Sequence, residues 1–495
     1  MTVPQIGSGI DPPFVEPPAP WTTAWPALPA LLLALVGSWG LRRTPRIDRR
    51  LVVVLGVALA VRTLWLPVEQ HQYDGHEAEY LDIYLGRRDL TRGGPLLYPV
   101  MQWLYWLLGR LPTHEAVPVV VSLGASLLAI AALVGLVGRL ARPEAGLAAG
   151  LALALWGNHA FWSSSAYNVI LPHALGLVAL WALAVWCSGD SPLAAGALAA
   201  GAGALAVLLR VESWLLAPVG LLLVLAHRPA GATRALPPIL FGAVVAACGT
   251  WLVLFPGTTP GAGQRDLSFA INHDLYAYFA PFDQLWAAGV AAVGLGLGLF
   301  RFPRLFVPLV VLIGGSHLLF ASFDDYGFRH LLNAEAALAA GLGVLVVHRW
   351  ARWLAPVALV ALVGHTQDVA DRYYMPEHDL VEAAEAEGLP ERSLHELDGC
   401  TLISEDGRVV PEDRQISHFN LYDPAEERAL RERTGCVSWL RSLQDERWSS
   451  RAVRDRALRL EHLFVITDSA VVVDDEAQVM GVLATVGDRR PGRGP

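Results

Sequence analysis

Apolar runs of about 17–22 residues recur down this chain as far as about residue 364, and they limit its fold more than any other feature. Most are long enough as helices to cross a hydrocarbon core. The runs are Trp25–Leu41, Leu51–Pro67, Val117–Gly138, Glu144–Phe161, Val169–Cys187, Pro192–Leu209 and Trp214–Ala226. They continue with Leu236–Phe255, Leu285–Phe300, Leu305–Ala321, His330–Val347 and Trp353–Gly364. Several are rich in Gly and Ala, as where membrane helices pack closely. With 54% hydrophobic residues, the pattern predicts an all-α polytopic membrane domain over residues 25–364, of about twelve transmembrane helices. After residue 364 the apolar runs stop, and short mixed segments predict a small α/β domain outside the membrane over residues 366–486. Its expected elements are helices Asp379–Glu387 and Arg451–His462, strands Cys400–Ser404 and Val437–Leu440, and strands Leu463–Thr467 and Ala470–Val473 paired around a turn at Asp468-Ser469.

Charge orients the helices. Arg42, Arg43, Arg46, Arg49 and Arg50 fill one short loop. Arg139 and Arg142, Arg228 and Arg234, Arg301 and Arg304, and Arg349 and Arg352 fall on the same side when twelve spans alternate. That side is expected to be cytoplasmic. The Pro-rich arm of residues 1–24 and the C-terminal segment then lie outside, with a tail from 487 to 495 expected to be disordered. The N-terminus has neither a basic leader nor an early apolar core, so it does not resemble a cleaved signal peptide. Residues 366–495 hold 27 acidic and 16 Arg side chains, a net charge of -11 against -9 for the whole chain. Such a balance argues against nucleic acid as a partner, because phosphate backbones need a basic surface. Cys187 and Cys248 lie in apolar runs, whereas Cys400 and Cys436 lie in the external segment, where a disulfide is permitted. Closing that loop would contribute about 3–4 kcal/mol in the chain-entropy model; two buried thiols are the alternative.

The polar exception is residues 71–86, the start of the first external loop (68–116). Asp74, His76, Glu77, Glu79 and Asp82 crowd together directly after an apolar run. Carboxylates beside a bilayer are expensive without water, a ligand or a phosphate to offset them. Asp74-Gly75 reads as a turn and Glu77–Gly86 as a short interfacial helix, with Ala78, Leu81 and Leu85 on its apolar stripe and Tyr80 at the border. A solvated loop that merely caps the bundle is the plain alternative. Arg62, near the outer end of the second run, is expected to snorkel or to pair with an acid of this loop. Leu96–Leu111, short and rich in Tyr and Trp, is expected to lie flat at headgroup level.

His76-Glu77-Ala78-Glu79-Tyr80 and Gly94-Pro95-Leu96-Leu97-Tyr98 resemble two motifs of the GT-C superfamily, in particular its protein O-mannosyltransferase and aminoarabinose transferase group. In layout the similarity covers most of residues 51–350. It implies a GT-C-like membrane glycosyltransferase with a catalytic carboxylate in the first external loop. The family's Asp falls on His76, with Asp74 two places earlier. The implied catalytic residue is therefore Asp74, or else Glu77 or His76.

The same resemblance points to Phe323–His330, where Arg329 and His330 are candidates for contact with a lipid phosphate. Guanidinium suits that role because it stays charged and grips oxygens bidentately; an ion pair of Arg329 with Asp324 or Asp325 is the alternative. Arg87, Arg88, Tyr80 and Arg210 complete the candidate substrate-binding set, although pairing of Arg210 with Glu212 is the favoured alternative. Phe161–Asn168 is expected to form a small external loop. Where the family often has an acid near there, this chain has Asn168, so a divalent metal stays open but without residues to support it, and no cofactor is expected with certainty. Residues 256–284 form the second substantial external loop.

These readings converge on transfer of a sugar from a polyprenyl-phosphate donor to a hydroxyl acceptor, with inversion, at the outer face of a bacterial inner membrane. Neither sugar nor acceptor is named by the sequence. A non-catalytic scaffold presenting the C-terminal domain is the rival. A transporter is disfavoured, since the charges sit at the ends of the apolar runs and not at mid-bilayer.

Overall fold

The computed structural model describes residues 27–41, 49–65, 83–84, 99–110, 116–165, 169–189, 192–227, 282–321 and 331–369, together with strand residues 401–404, 437–442, 464–473 and 479–489. Eleven of the twelve expected spans fall among them, and each is helical; Leu236–Phe255 lies outside the described residues. The helices are α1 (Ala27–Leu41), α2 (Arg49–Ala60), α3 (Pro99–Leu108), α4 (Ala116–Leu140), α5 (Pro143–Ala154), α6 (Gly157–Trp162) and α7 (Ile170–Cys187). Then come α8 (Pro192–Leu209), α9 (Leu216–His227), α10 (Phe282–Arg301), α11 (Pro303–Ala321), α12 (Leu332–Val347) and α13 (Leu354–Val369). A π turn, Val61–Trp65, prolongs α2, and a 3₁₀ turn, Val211–Leu215, leads into α9.

Small residues set the packing. α8 lies along α1 and α7, α5 along α12, and α4 between α5 and α7. A Cβ on Gly201 of α8 would run into the α1 backbone, 2.5 Å from Ala30 O and closer still to Ala34 N. Gly37 of α1 meets the α8 backbone in the same way, 2.7 Å from Ala194 O. Backbones this close leave no room for a side chain, which is why these positions carry hydrogen instead of methyl. The outer surfaces are apolar: Leu32 is 62% exposed, Val360 72% and Phe300 91%. A surface of that kind suits hydrocarbon better than water. Among the described residues, α4 over Val117–Leu140 and α7 are each long and apolar enough to cross a membrane, and eight shorter apolar helices accompany them.

One expected span is two helices. Glu144–Phe161 breaks after α5, where Leu155 caps the helix and Trp156 turns extended (φ -77°, ψ 113°) before α6 resumes at Gly157. Phe161 to Ser165, read from the sequence as an external loop, are instead buried, with Phe161 and Trp162 inside α6 and in edge contact. Bulky aromatics gain more from the bundle interior than from a loop, which accounts for the correction. Of the expected Glu77–Gly86 helix only Ile83 and Tyr84 are described, both helical and buried. α3 buries Val100, Met101 and Tyr105 and packs against α8 and α4.

The strands beyond α13 are β1 (Thr401–Ser404), β2 (Val437–Ser442), β3 (Phe464–Val473) and β4 (Val479–Arg489), in a sheet of order β1-β2-β4-β3. β1 and β2 are parallel with Thr401 opposite Val437, and the other pairs are antiparallel. A hairpin turn expected at Asp468-Ser469 does not form. Both residues lie within β3, paired with Thr485 and Ala484 of β4, and the irregular register between Ile466 and Asp468 takes up the polar interruption. β4 itself, unforeseen in the sequence, runs past Gly487 where the tail was expected to begin. The expected helices Asp379–Glu387 and Arg451–His462, and Cys400 and Cys436, lie outside the described residues.

Candidate functional site

The break between α5 and α6 frees carbonyl oxygens inside an apolar bundle, and each freed group needs a partner. Arg62 supplies one and Thr366 another. Arg62 Nη1 donates to Ala154 O at 2.9 Å and to Ala58 O of its own helix at 3.0 Å. Thr366 Oγ1 on α13 shares its proton between Leu155 O, at 2.7 Å, and Leu362 O one turn back, at 2.9 Å.

Arg62 does not snorkel. Its side chain is 0% exposed and reaches three turns down α4, where Nε donates to Ser126 Oγ at 2.8 Å. The π turn that carries it offsets the side chain from regular α spacing, a device common where a helix serves a site. Its Nη2 lies 2.8 Å from His159 Nδ1 on α6. Guanidinium can only donate, so His159 Nδ1 accepts and the ring proton sits on Nε2.

From His159 the polar contacts continue around three helices. The His159 ring meets His173 of α7 edge-on, with centroids 5.5 Å apart. His173 Nδ1 is 2.8 Å from Asn333 Oδ1 at the start of α12; a carbonyl oxygen only accepts, so this ring carries its proton on Nδ1. Two residues along α12, Glu335 Oε1 accepts from Asn158 Nδ2 of α6 at 2.6 Å. These contacts link α6 to α7, α7 to α12 and α12 back to α6. His159, His173 and Glu335 are buried; the Glu335 carboxylate is also bonded by Trp156, and among the described residues His159 Nε2 and His173 Nε2 have no hydrogen-bond partner.

The ring occupies one end of the bundle. It joins the last turn of α2, the end of α5, all of α6, the first turns of α7 and α12 and the last turns of α13. Those are the helix ends that adjoin the external segments expected from the sequence. The opposite ends carry the arginines: Arg139 Nε at the end of α4 donates to Ser188 Oγ at the end of α7 at 2.9 Å, and Arg349 and Arg352 lie over Trp350 and Trp353.

Of the residues singled out in the sequence, Asp74, His76, Glu77, Tyr80, Arg87, Arg88, Arg329 and His330 lie outside the described residues, as does Asn168. Arg210 is described. It ends α8 in extended conformation (φ -157°, ψ 115°) with its side chain buried, and its carbonyl accepts from Ser213 N at 3.0 Å. Among the described residues, no three His, Cys, Asp or Glu side chains group so as to hold a metal ion.

The residues that sequence reasoning passed over are Asn158, His159, His173, Asn333 and Glu335. A signal was there, because each is a polar or ionisable side chain inside an apolar run, where such groups are costly. For Asn158 and His159 it was masked by treating Glu144–Phe161 as one continuous helix.

No family model matches the sequence, and no curated protein matches it. Solved structures do. ArnT from Cupriavidus metallidurans in the apo state is similar with a TM-score of 0.52 and 13% identity, over 88% of this chain and 97% of that one. ArnT from the same organism bound to undecaprenyl phosphate gives 0.51 and 13%, over 89% and 98%. This chain has the GT-C fold. The archaeal oligosaccharyltransferase AglB from Archaeoglobus fulgidus, in complex with an inhibitory peptide and a dolichol-phosphate, is a weaker likeness: TM-score 0.48 and 12% identity, over 84% and 72%. The fold implied by the resemblance is thus met, while residues 76–80 and 94–98 lie outside the described residues.

Proposed function

We propose that the chain is a membrane glycosyltransferase that takes a sugar from a polyprenyl-phosphate donor and passes it, with inversion, to an acceptor hydroxyl at the outer face of a bacterial inner membrane. The observation that carries this reading is the likeness to ArnT over nearly that whole chain, including the form bound to undecaprenyl phosphate. A fold alone does not dictate chemistry, so the reading also draws on the acid cluster of residues 74–82 and the arginines that follow it.

Asp74, or Glu77 or His76 in its place, takes the proton of the acceptor hydroxyl as that oxygen attacks the anomeric carbon. The bond from that carbon to the phosphate oxygen breaks, and the lipid phosphate leaves with the electron pair. Arg87, Arg88, Arg329 and His330 offer donors to the charge that develops on it, with Tyr80 and Arg210 as further substrate contacts. A lipid-borne donor keeps its tail in hydrocarbon, which suits a site at the rim of a bundle with apolar flanks. On this reading the Arg-rich end faces the cytoplasm and residues 366–495 lie in the periplasm.

The test is transfer from radiolabelled polyprenyl-phosphate sugars by membrane vesicles holding the full chain. Asp74→Ala or Glu77→Ala is expected to lower turnover by about 10²–10⁴-fold at normal expression. Retained turnover in both variants and in His76→Ala sinks the site assignment. No transfer by the unaltered chain from any donor points to a scaffold.

A further inference from the structure

Two histidines at 4% exposure or less each keep one polar atom without a partner among the described residues, His159 Nε2 and His173 Nε2, and the fully buried Glu335 carboxylate on α12 is held by Asn158 and Trp156. They belong to the three helices α6, α7 and α12, which the contacts His159–His173, His173–Asn333 and Asn158–Glu335 close into a ring. We propose that this ring is a binding site for a neutral hydroxyl, supplied either by a buried water or by a sugar.

The chemistry follows from the proton positions. Arg62 forces His159 Nδ1 to accept, so His159 Nε2 is a donor. Asn333 Oδ1 takes the proton of His173 Nδ1, so in the neutral ring His173 Nε2 is an acceptor. Two rings in edge contact thus offer one donor and one acceptor. A hydroxyl is the small neutral group that both accepts and donates, whereas a phosphate would only accept and an ammonium only donate. Leaving such atoms bare is costly, and buried waters commonly settle where two to four polar atoms are left over. The break at Leu155–Trp156 lies beside these residues, with Arg62 and Thr366 holding the freed carbonyls. The sugar source rests on the transferase reading above; the water source does not.

The experiment is solid-state NMR of the full chain in lipid with ¹⁵N-labelled histidine. His159→Gln and His173→Gln assign the two rings. If one variant does not fold, the through-space contact between the rings assigns that residue from the other. His159 is expected as the Nε2–H tautomer and His173 as the Nδ1–H tautomer, each with a hydrogen-bonded Nε2. A cross-peak from both Nε2 sites to water that survives free mannose, galactose and arabinose identifies water as the occupant. Loss of that cross-peak with one sugar, and with no change in a matched sample of sorbitol, identifies a sugar hydroxyl. Nε2 shifts of rings without hydrogen bonds, with no water or sugar contact at either, overturn the site. An absence of transferase activity would remove the sugar source and leave the water result standing.

Discussion

The two ends of this helix bundle handle the same residue in opposite ways. Arg349 and Arg352 lie over exposed Trp rings, with centroid distances of 4.8 and 4.9 Å, at the surface. Arg62, at the other end, is enclosed and divides its donors among Ser126, Ala58, Ala154 and His159. An arginine at a headgroup keeps its hydration and contributes little to the fold. An enclosed one is tolerated only where the backbone and side chains around it need what it donates. The difference sets an end whose arginines stay at the surface against an end built around a helix break.

The contrast is sharpest at Arg62 itself. Arg62→Met leaves Ala154 O, Ser126 and His159 without their donor, and the expected loss is on the order of 3 kcal/mol of stability. Arg352→Ala is expected to stay within about 0.5 kcal/mol. Thermal unfolding of both variants in the same detergent checks the pair, and equal midpoints would erase the distinction between the ends.

Helix packing between the two ends gives the next largest effect. Gly201→Val drives two methyls into the α1 backbone at Ala30 and Ala34, at a cost of about 1–3 kcal/mol. Gly56→Ala, where an added Cβ meets nothing within 4 Å, is expected to be neutral or to stabilise by up to about 1 kcal/mol. Parallel melting curves decide it. A milder probe of the break is Thr366→Val, which keeps the shape of the side chain and removes the donor to Leu155 O. About 1 kcal/mol is expected, together with faster amide exchange at Trp156 and Gly157. Unchanged exchange there would mean that α13 does not brace the break.

Much of this architecture was legible in the chain. The apolar runs located every described helix of the bundle, apart from the division of one run, because burial in hydrocarbon demands local, continuous apolarity. The alternation of Arg-rich turns predicted which helix ends would share a side, and the Arg139–Ser188 contact agrees. In the C-terminal segment, β1, β2 and the stretch that forms β3 were visible as β-branched runs. The turn at Asp468-Ser469 was not realised, since pairing with β4 over Asp468 to Val473 outweighs two turn-prone residues.

What the sequence settled by itself is a chain of apolar helices with arginines gathered between them and an acidic cluster just after the second apolar run, because those depend on runs and counts along the chain. The polar ring was decided only by tertiary structure. Arg62 meets Ala154 across 92 positions, Asn158 meets Glu335 across 177, and Thr366 meets Leu155 across 211. No local period encodes such pairs. They form because a broken helix leaves polar atoms in an apolar interior, and only side chains brought in from other helices can reach them.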